Sequence, residues 1–151
     1  MPDVLASLRT ALGMIAICSV LGLGLTGCSS NQTKALKARD KALETTTEAY
    51  RKLVRWSYFE EASKYLKGRD EELRRPALAR YNAWKVTSYD VGDMVRNEAG
   101  DEARVLAHIG FYSKDSGRVY SLRDDQFWWY DDEESRWYLG SPFPDFDAAT
   151  R

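Results

Sequence analysis

At Trp84 the spacing of apolar residues changes, and that change limits the fold more than any single motif. Before it, from Lys34 onward, apolar side chains recur every three to four residues, whereas after it they alternate. In "EARVLAHIGFYS", Ala103, Val105, Ala107, Ile109 and Phe111 fall on one face, with Arg104, Leu106, His108 and Tyr112 on the other. Lys114-Asp-Ser-Gly117 reads as a turn whose glycine accepts positive φ. Arg118 to Tyr130 reads as the next strand, with a bulge expected at Asp124-Asp125 because two adjacent acids suit a bend better than a regular pleat. "DDEES" makes another turn, "RWYLGS" the last strand, and Pro142 and Pro144 end the sheet. With Trp84 to Gly92 as the first strand, the second half is a four-stranded antiparallel meander.

The first half predicts helices. Lys34 to Arg55 contains no Gly or Pro, and Leu36, Leu43 and Tyr50 recur every seven residues beside Ala42, Thr46, Thr47, Leu53 and Val54. A coiled-coil partner is the sharper alternative, but three weak heptads favour packing within the domain. Ser57-Tyr-Phe-Glu60 has the form of a capping box opening a second helix that Gly68 would stop. Asp70 would cap a third from Glu71 towards Tyr81, kinked or divided by Pro76. The expected fold is α+β: two or three N-terminal helices packed on a bent antiparallel four-stranded sheet.

Ahead of this unit lies an address. Ala11 to Leu25 is an uncharged run of 15 residues preceded by Arg9 and followed by small residues. A positive start, a short apolar centre and a small-residue end are the layout of a secretory signal, and a membrane span usually needs about 20 apolar residues. "LTGC", Leu25 to Cys28, resembles the lipobox of bacterial lipoproteins, and all four positions match. The resemblance implies cleavage before Cys28 and acylation of that residue, with membrane lipid as its partner through the acyl chains. Asp3 partly offsets Arg9, so an uncleaved inner-membrane anchor is the alternative. Ser29, where an Asp signals inner-membrane retention in Gram-negative lipoproteins, implies the outer membrane with the folded part in the periplasm. The expected organisation is a signal peptide at 1–27, a lipidated tether at 28–33, one domain at 34–146 and a tail at 147–151. Cys18 would leave with the leader, which removes any disulfide within the mature chain, and a cysteine-based metal site or nucleophile with it.

Helices followed by an aromatic-rich meander resemble the cone-shaped half barrel of nuclear transport factor 2, ketosteroid isomerases and polyketide cyclases. The likeness rests on "YRKLVRWSYFEEASKYL" at 50–66, "SYDV" at 88–91 and "QFWWYDDEESRWYLGSPFPDF" at 126–146. Trp137, Pro144 and Phe146 are also similar to the closing pattern of periplasmic lipoproteins of this type. Enzymes of that fold pair a pocket acid with Tyr, His or a second acid, so the resemblance would assign such a role to His108 with Asp90, Asp124 or Tyr120.

The residues themselves carry no catalytic signature. His108 is the sole histidine, and a lone histidine on a strand is ordinarily structural or surface. There is no phosphate loop, nucleophile elbow or histidine pair for zinc, so no cofactor and no metal are expected. Phe127-Trp-Trp-Tyr130 must point to both faces of its strand, so either both faces are covered or one pair is presented outward. Trp128 and Tyr130, with His108 and Tyr120, are the expected ligand or partner surface. Residues 34–85 carry 14 basic and 8 acidic side chains and residues 86–151 carry 7 and 14, and most of the aromatics sit in the acidic half, which disfavours nucleic acid. The expectation is a non-enzymatic outer-membrane lipoprotein that supports envelope assembly or binds a protein partner. The alternative is a binder or enzyme for a small apolar molecule inside the cone. A tether to peptidoglycan is a third reading, without a recognisable motif.

Overall fold

A computed structural model describes residues 27–70 and 72–151. Residues 1–26 of the expected 1–27 leader, and the Cys28 side chain, lie outside the described residues. The fold is α+β, with a long helix N-terminal to an open four-stranded antiparallel sheet of the cone-like half-barrel form.

The first helix, α1, spans Gly27–Arg55. It therefore begins before Lys34 and takes in the polar segment 29–33. Leu43, Tyr50 and Val54 on one side of α1 are fully buried. The helix ends in an interlocked pair of hydrogen bonds, from Ser57 N–H to the Val54 carbonyl at 2.9 Å and from Tyr58 N–H to the Leu53 carbonyl at 2.8 Å. Ser57 occupies the left-handed position such an ending requires, at φ +64°. This overturns the capping box, because Ser57 is consumed in closing α1 and cannot open the next helix. The second helix, α2, is a short Phe59–Ser63 whose N-cap, Tyr58, makes no side-chain cap. The third predicted helix is cut down: among the described residues, 72–77 have no regular structure. Regular structure resumes only as a 3-10 helix at Leu78–Ala83, beyond the point where Pro76 removes a backbone donor.

The sheet runs β1 (Trp84–Arg96), β2 (Glu102–Ser113), β3 (Val119–Asp131) and β4 (Arg136–Leu139), in that spatial order. β1 continues past Gly92, and the irregularities lie in β1, between Val86 and Ser88 and between Val91 and Met94. At the first of these, an added Cβ on the facing Gly110 would come within 2.5 Å of the Ser88 hydroxyl and 3.2 Å of the Thr87 hydroxyl, so the bulge closes over a residue without a side chain. β2 and β3 pair without interruption from Glu102↔Trp129 to Tyr112↔Val119. The expected bulge at Asp124-Asp125 does not form, since the two acids alternate faces like any other neighbours. Gly117 takes positive φ, +68°, in the predicted turn.

Covering both faces resolves the paired tryptophans. Trp128 faces α1, with its ring 5.4 Å from Tyr50 and 6.4 Å from Tyr65. Trp129 faces the other way and is buried by the chain after α2, whose Lys67 carbonyl accepts the Trp129 indole N–H at 2.7 Å. That chain is tied to β4 by Lys67 N–H to the Leu139 carbonyl at 3.1 Å and Leu139 N–H to the Tyr65 carbonyl at 2.8 Å. At the sheet's far end Trp137 donates to the Arg39 carbonyl of α1 at 3.0 Å. Phe143 and Phe146 complete the core against Phe59 and Tyr81.

Candidate functional site

The sheet face turned towards α1 carries one polar cluster among aromatic and aliphatic side chains. Alternation in β3 directs Asp124, Gln126 and Trp128 to this face, and Tyr89 of β1 reaches the same place. Gln126 is 2 % exposed and stands at the centre of the cluster. Its amide donates to the Tyr89 hydroxyl at 2.6 Å and to the Asp124 carboxylate at 2.7 Å, and its carbonyl accepts the Trp128 indole N–H at 3.0 Å. One glutamine therefore satisfies two buried partners, Tyr89 and Trp128, and the half-buried Asp124, which is the condition for keeping polar groups in a core.

Burial pushes the Asp124 carboxyl up to about 6; the Gln126 hydrogen bond opposes this and the charge on Asp125 adds to it. Burial also raises the Tyr89 phenol. The Tyr50 phenol, fully buried beside the cluster, is raised by burial and then by Tyr89 and Asp124, and its hydroxyl has no hydrogen-bond partner. An acid that titrates near neutrality beside two phenols is equipped for proton transfer, provided a substrate can reach it. Around it Trp128 and Tyr50 are fully buried, while Asp124 is half-buried. Clefts of about 810, 410 and 360 Å³ open elsewhere: along 66–75, between Arg74 and Phe143, and beside Ser57 and Asn82. None of them is lined by Asp124, Gln126 or Tyr89.

The expected surface residues do not come together. His108 is exposed on the sheet face turned away from α1, across from Asp90 on one side and Arg123 on the other. It therefore cannot pair with Asp124 or Tyr120, which point through the opposite face. Tyr120 is half-buried, stacked on Phe111 at 5.6 Å and edge-on to Trp84 at 6.0 Å. Trp128 is fully buried. Tyr130 is half-buried against Trp137 at 5.5 Å, with the Arg39 guanidinium 4.6 Å above its ring, so it fastens α1 to the sheet. Three of the four named residues are packing residues and one is a surface histidine on the far side. The alternation that turned Asp124 inward also marks Gln126, a residue whose polarity is out of place among Val105, Trp128 and Ala103; Tyr89 and Tyr50 carry no such signal.

Charged side chains cluster instead at the sheet end and on α1. Lys67 pairs with Asp131 and Glu134 and lies over the Trp129 and Tyr138 rings at 5.6 and 4.8 Å. Arg69 pairs with Asp101 and Glu102. Among the described residues no group of three or more His, Cys, Asp or Glu is placed to hold a metal ion, and no helix is long and apolar enough to cross a membrane. No protein-family model, curated protein or solved structure matches this chain.

Proposed function

We propose that this chain is a lipid-anchored protein of the outer membrane, facing the periplasm, which binds a protein partner or supports an envelope assembly and performs no reaction of its own. The sequence Leu25-Thr-Gly-Cys28 at the end of an apolar leader carries the reading. Acylation there accounts for a cysteine at the junction between a 15-residue uncharged run and a charged domain, and two or more acyl chains hold where one does not. The packed interior supports the non-enzymatic part: Gln126, Trp128 and Tyr50 of the polar cluster are buried, and the sole histidine lies on the other side of the sheet. The experiment is crosslinking in intact cells followed by affinity capture, with the wild-type chain compared with Cys28→Ala. A discrete partner captured by the wild type and lost in the variant is the expected result. A wild-type chain that remains a lone monomer under all crosslinkers contradicts the proposal.

A further inference from the structure

Among the described residues, three lysines of α1 make no ion pair. At 100° per residue the buried side chains Leu43, Tyr50 and Val54 lie within about 40° of one another, while Lys34, Lys37 and Lys41 lie within about 60° of one another on the opposite side. All three lysines are exposed. The acids of α1 are already engaged: Asp40 and Glu44 with Arg96 at 3.1 and 3.2 Å, Glu48 with Arg51 and Lys52 at 2.6 and 3.5 Å. Among the described residues no ion pair involves Lys34, Lys37 or Lys41.

The backbone of α1 is helical from Gly27, so no irregular linker separates Cys28 from this stripe. At 1.5 Å per residue, Lys34 and Lys41 stand about 9 and 20 Å along the helix axis from Cys28. A chain fixed to a bilayer at Cys28 brings these ammonium groups to the headgroups when α1 lies along the surface, and the side of α1 turned from the sheet is free to do so. Charge favours that orientation twice. The helix offers unpaired lysines, while residues 86–151, which form nearly all of the sheet and the C-terminal segment after it, carry 14 acidic against 7 basic side chains. An anionic surface attracts the first and repels the second.

We propose that the outer face of α1, through Lys34, Lys37 and Lys41, docks on anionic phospholipid headgroups of the membrane that holds the Cys28 acyl chains, so that the helix lies along the bilayer and the sheet faces away from it. The proposal rests on the lipid-anchor reading and adds an orientation to it. Lipid-specific attraction of this kind is electrostatic, short-ranged and screened by salt.

The test uses the full protein purified from membranes and reconstituted into vesicles of phosphatidylcholine alone or mixed with phosphatidylglycerol. Each lysine's acetylation rate is read by mass spectrometry, and the intact mass is read on the same sample. Lys34, Lys37 and Lys41 are expected to react about threefold or more slowly on the anionic vesicles, with the protection lost at high salt and with Lys114, in the β2–β3 turn, unchanged. Equal rates on both vesicle types in a chain that carries acyl mass overturn the docking proposal and leave the anchor standing. Protection that persists on neutral vesicles at high salt overturns it as well, because headgroup charge is then not the cause. A chain without acyl mass overturns the anchor and, with it, this orientation.

Discussion

Replacing Asp124 with Asn should stabilise the protein above neutrality and leave it nearly unchanged in acid. In the unfolded chain this carboxyl ionises around 3.8, and in the fold burial moves it to about 6. Below about pH 4 it is protonated in both states and its burial carries no electrostatic penalty. As pH rises from 4 to 6 the unfolded state releases a proton that the folded state keeps, so unfolding is increasingly favoured, and the loss is complete above about 6. At about 1.4 kcal/mol for each tenfold change in proton affinity, the full effect is about 3 kcal/mol. Asp124 is partly open to solvent, which reduces the expected figure to about 2 kcal/mol. Asn keeps an oxygen to accept from Gln126, so the hydrogen bond survives and only the charge is lost. Urea unfolding of both proteins from pH 4 to pH 8 measures this as a difference. Carboxyls held low by partners, such as Glu48 beside Arg51 and Asp101 beside Asn97, pull in the opposite direction but cancel between the two chains. A variant less stable than wild type at every pH, with no divergence between pH 4 and 7, refutes the reasoning.

Tyr50→Phe removes a buried hydroxyl without a partner and should raise stability by about 1 kcal/mol in the same urea assay; destabilisation would mean the hydroxyl has a bonding role. Ser57→Gly relieves a left-handed residue and a buried unpaired hydroxyl at the end of α1, and a gain of about 1 kcal/mol is expected; a loss would show that Ser57 is not held at positive φ. His108→Ala, on the exposed sheet face, should change the unfolding free energy by less than about 0.5 kcal/mol, whereas a large change would return the histidine to a buried environment.

The sheet was readable because alternation and turn chemistry act locally: every second residue from Ala103 to Phe111 faces the core, and Gly117 turns the chain where the sequence places it. What escaped the sequence were contests between two local preferences for one residue. Ser57 fits the start of α2 and also the close of α1, and the second wins because it satisfies two carbonyls of a 29-residue helix where the first serves only five residues. Asp124 and Asp125 look like a bend as a pair, yet one points to Gln126 and the other to solvent, so each is accommodated without one. The burial of Trp129 in addition to Trp128 depends on the chain after α2 folding back over the sheet's other face, a contact between residues 62 apart in sequence, which no local pattern encodes. The site residues failed for a related reason. His108 and Asp124 sit on opposite faces of one sheet, and the spacing between them reveals this only once the strands' antiparallel register is known.

The most direct measurement of the central claim is the intact mass and N-terminal residue of the protein extracted from the membranes of cells that make it. Cleavage before Cys28 with acyl groups on that residue, and none in a Cys28→Ala variant, is the predicted result. A chain that retains residues 1–27, or one that begins at Cys28 with a free thiol, contradicts it.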